Sequence, residues 1–372
     1  MAAKNNKGDQ KMPVDIYKPF NLIAAYEVAD KPESWLRDTF FPCNPATDMF
    51  KTDEVYIEIK DKGDRLTAPF VVPSVGGRYI TRNGYKTSRL APPFMGLKSK
   101  LTIDDLEDKG FGEAYFAEHS PAVRARKLLI GDMEEMERRF TRTEEMMCAK
   151  LLTGNGYELK HYGAEYSDTD KFKNYQIKFY DGDDPTLYTP EAAWSKASEK
   201  IIDDIYAMVL MLEDAQQPAS HLIVSWDVAE TIYNNVKIRE DIKTYSNINL
   251  MQGQLSPVKL PDHVTKICTL NVYGRKIEVY AYTAKYVDPE TGKEALYIPE
   301  KTAILTAPKC GKMLYGCVKQ MNPATKEFEW IAAKRVPKMT FDEDNDSRAL
   351  RISSRPLAVP AAMNPFVHAT VL

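Results

Sequence analysis

The stretch from Lys51 to Gly154 most constrains the fold, because strand and turn patterns there lead directly into one long amphipathic helix. Ser120 is a good N-cap and Pro121 suits the first helical position, while Gly154 follows where a C-terminal stop is expected. At about 1.5 Å per residue, a helix of this span is roughly 50 Å long, which is longer than an ordinary domain is wide. We therefore predict a spine helix over about 121–153.

The apolar residues of this helix recur at steps of three, four or seven, which keeps one stripe facing a partner surface. The stripe consists of Leu129, Met133, Met136, Phe140, Met147 and Leu151. The residues expected on the opposite, polar face are Glu134, Arg138, Arg142 and Glu145. The pattern predicts a helix with one buried and one solvated side.

The segment before the helix carries strand and hairpin signals. Residues from Val55 to Ile59 alternate as a strand does, and Asn83-Gly84 is a strong hairpin signal. A two-stranded ribbon is only marginally stable alone in water. We therefore expect this ribbon to rest on another surface, such as a neighbouring subunit.

Two interpretations of the basic residues around the ribbon remain open. In the first, the charges keep an exposed strand edge soluble. In the second, they pair with carboxylates on the spine helix of an adjacent subunit, and such pairs at the rim of an interface set register more than affinity. The candidate subunit contacts are Arg78, Arg82, Tyr85, Lys86, Arg89, Glu134, Glu135 and Glu137.

Beyond the spine helix, the patterns indicate a mixture of helix and strand suited to a central α/β sheet. The predicted elements are a helix from Thr189-Pro190-Glu191 to Gln217-Pro218, a buried strand from His221 to Trp226, a short helix from Asp227 to Val236, and strands over Lys276 to Thr283 and Ala295 to Ile298.

Length and composition exclude some classes of protein. With 372 residues, 44% of them hydrophobic, the chain can bury a sizeable core in one elaborated domain or two. Its net charge of -3 argues against a dedicated nucleic-acid binder, which needs a concentrated basic excess. The sequence shows no apolar run of about 18 residues and no signal peptide, so we expect no membrane insertion. The cysteines lack metal-binding spacing and are predicted to be buried, reduced thiols: Cys43, Cys148, Cys268, Cys310 and Cys317.

An enzyme hypothesis finds little support among the polar clusters. Residues 115–119 resemble an inverted zinc signature, but a tyrosine stands where the first histidine ligand is required. Residues 342–346 begin like a calcium loop, but serine replaces the glycine at position six. We predict no catalytic residue, no metal site and no cofactor. A metal-dependent hydrolase using Glu118 and His119 is kept as a distant alternative.

The order of short motifs along the chain is informative as a whole. In sequence, the motifs are Thr52-Asp53-Glu54-Val55-Tyr56-Ile57, Val75-Gly76-Gly77-Arg78, Arg82-Asn83-Gly84-Tyr85, Ala91-Pro92-Pro93, Leu101 to Leu106, Thr143 to Gly154, Tyr273 to Tyr280, Tyr297-Ile298-Pro299 and Ser354 to Pro360. Each is weak alone. Together, over about residues 20 to 360, they resemble the major capsid proteins of tailed bacteriophages, specifically the lambda-type capsid protein E family.

This resemblance implies an α+β fold, the tailed-phage capsid fold of the Hong Kong 97 type. The implied segments are an N-terminal arm at 1–50, an extended loop or strand ribbon at 51–110, a peripheral domain with the spine helix at 111–190, an axial domain at 191–310, and a return to the peripheral domain with the C-terminal segment at 311–372. The polar start and repeated prolines of the first segment discourage a compact fold, which suits an arm.

The resemblance further implies a major capsid protein whose copies form hexamers and pentamers of an icosahedral shell. Its implied partners are other copies of the chain, a scaffolding protein, a portal, an optional decoration protein and packaged double-stranded DNA bound without sequence specificity, with no membrane. The implied location is the virion capsid, assembled in the bacterial host cytoplasm. The shell of a non-viral compartment that holds cargo enzymes is the alternative, and the nucleic acid content of purified particles would distinguish the two.

Overall fold

The computed structural model describes residues 34–60, 85–102, 105, 121–154, 156–159, 175–179, 186–195, 200–240, 258–260, 263–288, 291–322, 326–342 and 347–372. Its main helices are α1 (Trp35–Phe40), α2 (Pro121–Leu152), α3 (Ile201–Asp214) and α4 (Trp226–Asn234). Its strands are β1 (Val55–Lys60), β2 (Tyr85–Leu90), β3 (Met95–Leu101), β4 (Gly156–Leu159), β5 (Tyr175–Lys178), β6 (Leu187–Tyr188), β7 (His221–Val224), β8 (Val258–Lys259), β9 (Val264–Val272), β10 (Arg275–Tyr282), β11 (Lys285–Val287), β12 (Glu294–Leu296), β13 (Thr302–Thr306), β14 (Gly311–Tyr315), β15 (Val318–Met321), β16 (Phe328–Ile331), β17 (Val336–Asp342), β18 (Ser347–Ser354), β19 (Pro356–Pro360) and β20 (Phe366–Thr370).

The predicted spine helix is confirmed as α2, which begins at Pro121 and ends at Leu152. All six residues of its apolar stripe are buried. The first part of the stripe packs on Met339 of β17 and on Leu350 and Ile352 of β18, and the last turns enter the main core of the chain. Because burying a large apolar side chain contributes about 1.5–3 kcal/mol, the stripe holds α2 in place more strongly than helix propensity does.

The prediction for Glu145 is wrong. Arg138 and Arg142 are exposed as expected for the polar face, but Glu145 is buried. The cause is α1, which packs against α2 and presents backbone N–H groups that need acceptors. The carboxylate of Glu145, on the face predicted to be polar, accepts hydrogen bonds from these N–H groups.

The central sheet runs in the order β6-β20-β13-β7-β10-β9-β8 within the described residues. Strand β7 pairs parallel to β10 and antiparallel to β13. Alternate residues of β7 point to opposite faces, so Leu222 and Val224 join the core that includes α3 and α4, whereas Ile223 joins the core that includes α1 and α2. The sheet therefore separates two hydrophobic cores.

Two predicted elements of this region differ in the structure. The second helix does not begin at Thr189, because α3 begins at Ile201, and the described residues up to 195 are not helical. There the backbone N–H of Trp194 donates to the carbonyl of Val371 at 2.6 Å, and its indole donates to Asp204 at 2.7 Å. The strand predicted at 295–298 does not enter the central sheet, since β12 pairs with β11 in a separate hairpin.

Residues near both ends of the chain pack into the body of the fold, which differs from the predicted succession of separate segments. Within the segment predicted as an arm, Leu36, Phe40 and Phe41 are fully buried in the main core. The last strand, β20, pairs with β13 in the central sheet. The prolines of the first segment therefore do not prevent residues 34–50 from folding against the rest of the chain, and the overall division into domains stays a prediction.

Burial of the thiols is confirmed for four cysteines, and Cys43 is half-buried. Burial raises the pKa of Cys268 and of Cys310 to about 12. These thiols are therefore protonated near neutral pH and poorly nucleophilic.

Candidate assembly surfaces and the buried charge network

The ribbon of β1 and β2 has an inner and an outer face. Val55 and Ile57 of β1 are buried against the chain, whereas Tyr56 between them is exposed. Arg89 stands opposite Tyr56 in the antiparallel register, and its guanidinium lies 5.1 Å from the centre of the tyrosine ring. This cation–π contact orders Arg89 on the outer face, where it is available to a partner.

The other predicted contacts on the ribbon are only partly described. Tyr85 pairs with Lys60, and Lys86 pairs with Ile59, in the β1–β2 ladder. Arg78, Arg82 and the Asn83-Gly84 turn lie outside the described residues, as do Glu118 and His119.

Arg355 fixes the base of the ribbon. Its guanidinium donates to the carboxylate of Asp53, just before β1, at 3.1 Å and to the carbonyl of Pro92, just after β2, at 3.1 Å. It also donates to the carbonyl of Cys317 at 3.2 Å, and Lys319 of β15 forms a further ion pair with Asp53. The prediction missed Arg355 as a site residue, although Ser354-Arg355-Pro356 was among the motifs. Both ends of the ribbon are thereby tied to β15 and β19.

The three candidate carboxylates of α2 have different surroundings. The side chain of Glu135 is 46% exposed, and it pairs with Arg139 at 3.0 Å and with Arg138 at 3.9 Å. Glu134 is half-buried and forms no ion pair within the described part of the chain. Glu137 is buried inside its own chain, with its carboxylate 2.7 Å from the guanidinium of Arg335. The contacts therefore assign Glu137 to the interior, and the role of a subunit contact stays a prediction for Glu134 and Glu135.

Arg335 lies at the centre of a buried charge network. Its side chain is fully buried, and it contacts Glu137 at 2.7 Å and Glu144 at 2.5 Å. It also donates to the hydroxyl of Ser354 at 3.1 Å and stacks over Phe140 at 4.9 Å from the ring centre. The network joins α2 to the segment that leads into β17.

Two adjacent carboxylates of α2 hold the N-terminal segment against the same network. Glu144 accepts hydrogen bonds from Arg37 at 3.0 Å and from the hydroxyl of Tyr315 at 3.0 Å. Glu145 accepts the backbone N–H groups of Leu36 at 2.9 Å and Arg37 at 3.0 Å, and also bonds the hydroxyl groups of Ser34 and Tyr282. Glu145 therefore caps α1 from another helix.

The electrostatics of Glu144 follow from these contacts. Burial by itself raises the pKa of its carboxyl group, but the charges of Arg335, Lys334 and Arg37 outweigh burial and hold the pKa at about 2. The group is therefore ionised at neutral pH, and its neighbours are arranged for the charged form.

We expect the stability of the chain to fall with acid because of Glu144. Since its folded-state pKa lies below the ordinary value of 4.5, the stabilisation is complete above that value and is lost as pH falls towards about 2. Urea unfolding between about pH 6 and 3 should show this decrease, and Glu144→Gln should flatten it. The exposed Glu135→Gln serves as the control and should keep the wild-type slope. An unchanged slope in Glu144→Gln would show that other carboxylates carry the acid sensitivity.

Within the described ranges, no group of three or more His, Cys, Asp or Glu residues is placed to hold a metal ion. No helix in the part of the chain that the structure describes is long and apolar enough to cross a membrane.

Comparison with known proteins agrees with this description. The profile of the family described as Phage major capsid protein E matches residues 20–371. The chain is similar to the major capsid protein of Escherichia phage lambda, with 22% identity over 363 residues, 95% of this chain and 98% of the relative. The structure is similar to that of a prophage capsid protein of Escherichia coli CFT073, with a TM-score of 0.63, 17% identity, and 95% and 99% of the two chains covered. The mature capsid of bacteriophage PhiM1 is more distant, with a TM-score of 0.45, 12% identity, and 92% and 88% covered.

Proposed function

Because the chain belongs to the phage major capsid protein E family and is a capsid shell protein with a Hong Kong 97-like fold, we propose that its copies form hexamers and pentamers of an icosahedral shell around double-stranded DNA. Capsid homologues assemble into shells, so the chain is part of a homo-oligomeric virion capsid. The match of the family profile to nearly the whole chain is the observation that carries the proposal.

The geometry of the ribbon supports assembly through many modest contacts. Arg355 fixes the base of the ribbon, and Arg89 is ordered on its outer face. A solvent-facing cation that is already ordered suits contact with a neighbouring copy, because little side-chain entropy remains to be lost on binding. In a closed shell, such contacts add up through multivalency.

The further partners belong to the same proposal. Assembly would begin as a precursor shell around a scaffolding protein in the bacterial host cytoplasm, and DNA would enter through a portal, with optional addition of a decoration protein. The DNA would be enclosed without sequence-specific binding, in keeping with a net charge of -3. The chain would act as a structural protein and not as an enzyme, in keeping with its family.

The decisive experiment is sedimentation velocity of the purified chain, alone and with its scaffolding protein, followed by electron microscopy of the fast fraction. Closed particles or six-membered rings are expected. Particles purified from cells should contain nuclease-protected DNA, whereas enclosed enzymes would favour the non-viral compartment. An activity abolished by Glu118→Ala or His119→Ala with assembly intact would favour the hydrolase. A chain that stays monomeric with scaffold present would contradict the proposal.

Charge reversal tests the second interpretation of the ribbon's cations. We expect Arg89→Glu to raise the subunit concentration needed for assembly by about tenfold, because a repulsive contact replaces an attractive one. Glu134→Lys and Glu135→Lys in the same chain should restore much of the loss. Sedimentation velocity at two salt concentrations gives the readout, since screening should reduce both effects.

The control for this series is Lys276→Glu, which reverses an exposed cation on β10, outside the ribbon. It should assemble as the wild type does. If Arg89→Glu assembles normally, the ribbon's cations serve solubility and the first interpretation is correct.

A further inference from the structure

The three-stranded sheet of β17, β18 and β3 carries a row of cations that crosses all three strands. In the antiparallel register, Lys338 of β17 stands opposite Arg351 of β18, and Arg351 stands opposite Lys98 of β3. Lys100 lies on the same side of the sheet, because alternate residues of a strand share a face. These four residues, Lys98, Lys100, Lys338 and Arg351, are called the basic face below.

The basic face is the side of the sheet that points away from α2. The opposite side packs on the apolar stripe of α2 through Met339 and Leu350, which are the chain neighbours of Lys338 and Arg351. On the basic face, both lysines of β3 are exposed, whereas Lys338 and Arg351 are half-buried. The cations are therefore accessible to a partner from solvent.

The row of cations is unfavourable within a single subunit. Like charges that stand directly opposite each other on neighbouring strands are destabilising. Burial, together with the charge of Arg351, lowers the pKa of Lys338. Within the described ranges, none of the four cations forms an ion pair, and the buried Nε of Arg351 has no hydrogen-bond acceptor. An anion that binds from outside the chain would reduce this repulsion.

The nearest carboxylate on the same side of β17 is too distant to balance the row. Asp342 stands four residues along the strand from Lys338, which is about 13 Å at the rise of a β-strand. This separation exceeds the Debye length of about 8 Å at physiological ionic strength. The positive charge of the row is therefore left for a partner to neutralise.

We propose that the basic face binds phosphate groups of the double-stranded DNA enclosed by the shell. Neighbouring strands lie about 4.8 Å apart, so the row from Lys338 to Lys98 is about 10 Å long. Each strand of duplex DNA carries one charge per about 3.4 Å of axis, so the row faces about three phosphates. Contacts of this kind position DNA without reading its sequence. The proposal rests on the proposed function, because it names the surface of the subunit that meets the enclosed DNA.

Two observations favour DNA over an acidic protein as the partner. Three of the four cations are lysines, and lysine is depleted in protein–protein interfaces relative to the rest of the surface. Beside Lys100, the next row holds Ala349 and Thr340, and neither is a large anchor of the kind that dominates binding between proteins. Point charges on a flat sheet instead suit a polymer with regularly spaced phosphates.

The double variant Lys98→Gln, Lys338→Gln tests the proposal through two effects of opposite sign. Binding of the unassembled subunit to a short labelled DNA duplex is measured by fluorescence anisotropy at several salt concentrations. The slope of log affinity against log salt should become shallower by about 2, because each phosphate contact contributes about 0.9. Urea unfolding should show a slightly more stable subunit, because the repulsion of Arg351 is relieved. A purely structural role of the two lysines would not produce a gain in stability with a loss of DNA binding.

The matched control is Lys276→Gln with Lys312→Gln, which removes two exposed lysines on β10 and β14 and leaves the same net charge. It should keep the wild-type slope. An equal loss in both double variants would overturn the inference, because the net charge of the chain would then set the affinity. Failure of the wild type to bind the duplex at low salt would overturn it as well.

Polyglutamate serves as the probe for the other class of partner. At an equal concentration of anionic groups, tighter binding of polyglutamate than of the duplex would assign the basic face to an acidic protein and overturn the inference. Each of these results on the free subunit leaves the proposed function intact if the wild type still forms particles that protect DNA. Failure of the wild type to form particles with scaffold would instead reject the proposed function, whatever the free subunit binds.

Discussion

Replacing Arg335 by methionine is expected to lower the free energy of unfolding by about 3–5 kcal/mol. The fully buried guanidinium contacts Glu137 at 2.7 Å and Glu144 at 2.5 Å, and methionine offers neither charge nor hydrogen bonds in return. Glu137 would then remain in the interior without its cation, and Glu144 would keep only Arg37 at 3.0 Å and Lys334 at 4.0 Å, so the desolvation of the two carboxylates would be poorly compensated. Urea unfolding of the unassembled subunit measures the loss.

Neutralising the carboxylates should offset part of this effect. The triple variant Arg335→Met, Glu137→Gln, Glu144→Gln is expected to be more stable than Arg335→Met alone, because neither carboxylate is left without its cation, and Arg37 still pairs with Asp38 at 2.8 Å. The control is Arg142→Met, at an exposed position of α2, which should change the free energy of unfolding by no more than about 0.5 kcal/mol. A loss below about 1 kcal/mol in Arg335→Met would show that the interior tolerates these charges without Arg335.

Replacing Gly311 by alanine is expected to lower the free energy of unfolding by about 3 kcal/mol, or to prevent folding. A Cβ at this position would lie 2.1 Å from the ring of Phe41 and 2.8 Å from the carbonyl oxygen of Val359. The ring is fully buried in the main core, and the carbonyl belongs to β19, paired with β14, so neither can move away easily. Thermal unfolding of the purified subunit, or its yield in soluble form, gives the readout.

A second substitution, at Phe41, tests whether its ring causes the loss of stability. Phe41→Leu alone should be destabilising, but Gly311→Ala should be much less harmful in that background, because the clashing ring is gone. Gly154→Ala is the control, since the nearest atom to its Cβ position lies 3.9 Å away and its effect should be small. Equal losses in the wild-type and Phe41→Leu backgrounds would mean that the ring is not the obstacle.

The predictions for Arg335 and Gly311 both concern how the N-terminal segment around α1 packs on the rest of the chain. Arg335 and Gly311 both hold the N-terminal segment around α1 against α2 and the C-terminal strands, the first through Glu144 and Arg37 and the second through Phe41. The base of the ribbon is fixed separately by Arg355. The N-terminal segment, α2 and the base of the ribbon are therefore held in position by contacts within the chain.

Elements with strong local signals could be predicted with good bounds. Pro121 and the 3.6-residue period of apolar residues determine where α2 begins and which side it buries. Alternation determines β1 and β10 to within a residue at either end. By contrast, Thr189-Pro190 carries a good helix-start signal, yet the segment up to 195 is not helical, because Trp194 bonds the backbone of Val371 and the side chain of Asp204. Tertiary contacts overrode the local preference there.

Local patterns in the sequence predict the spine helix and the strands of the ribbon, and the order of the motifs carries the resemblance to phage capsid proteins. The burial of Glu137 and Glu145, and the position of Arg335 between two carboxylates, follow from contacts between distant segments that no local pattern predicts. The difference lies in how far apart the interacting residues are along the chain. Periodicity depends on neighbours within a few positions, whereas the partner that makes burial of Glu137 favourable lies 198 residues away along the chain.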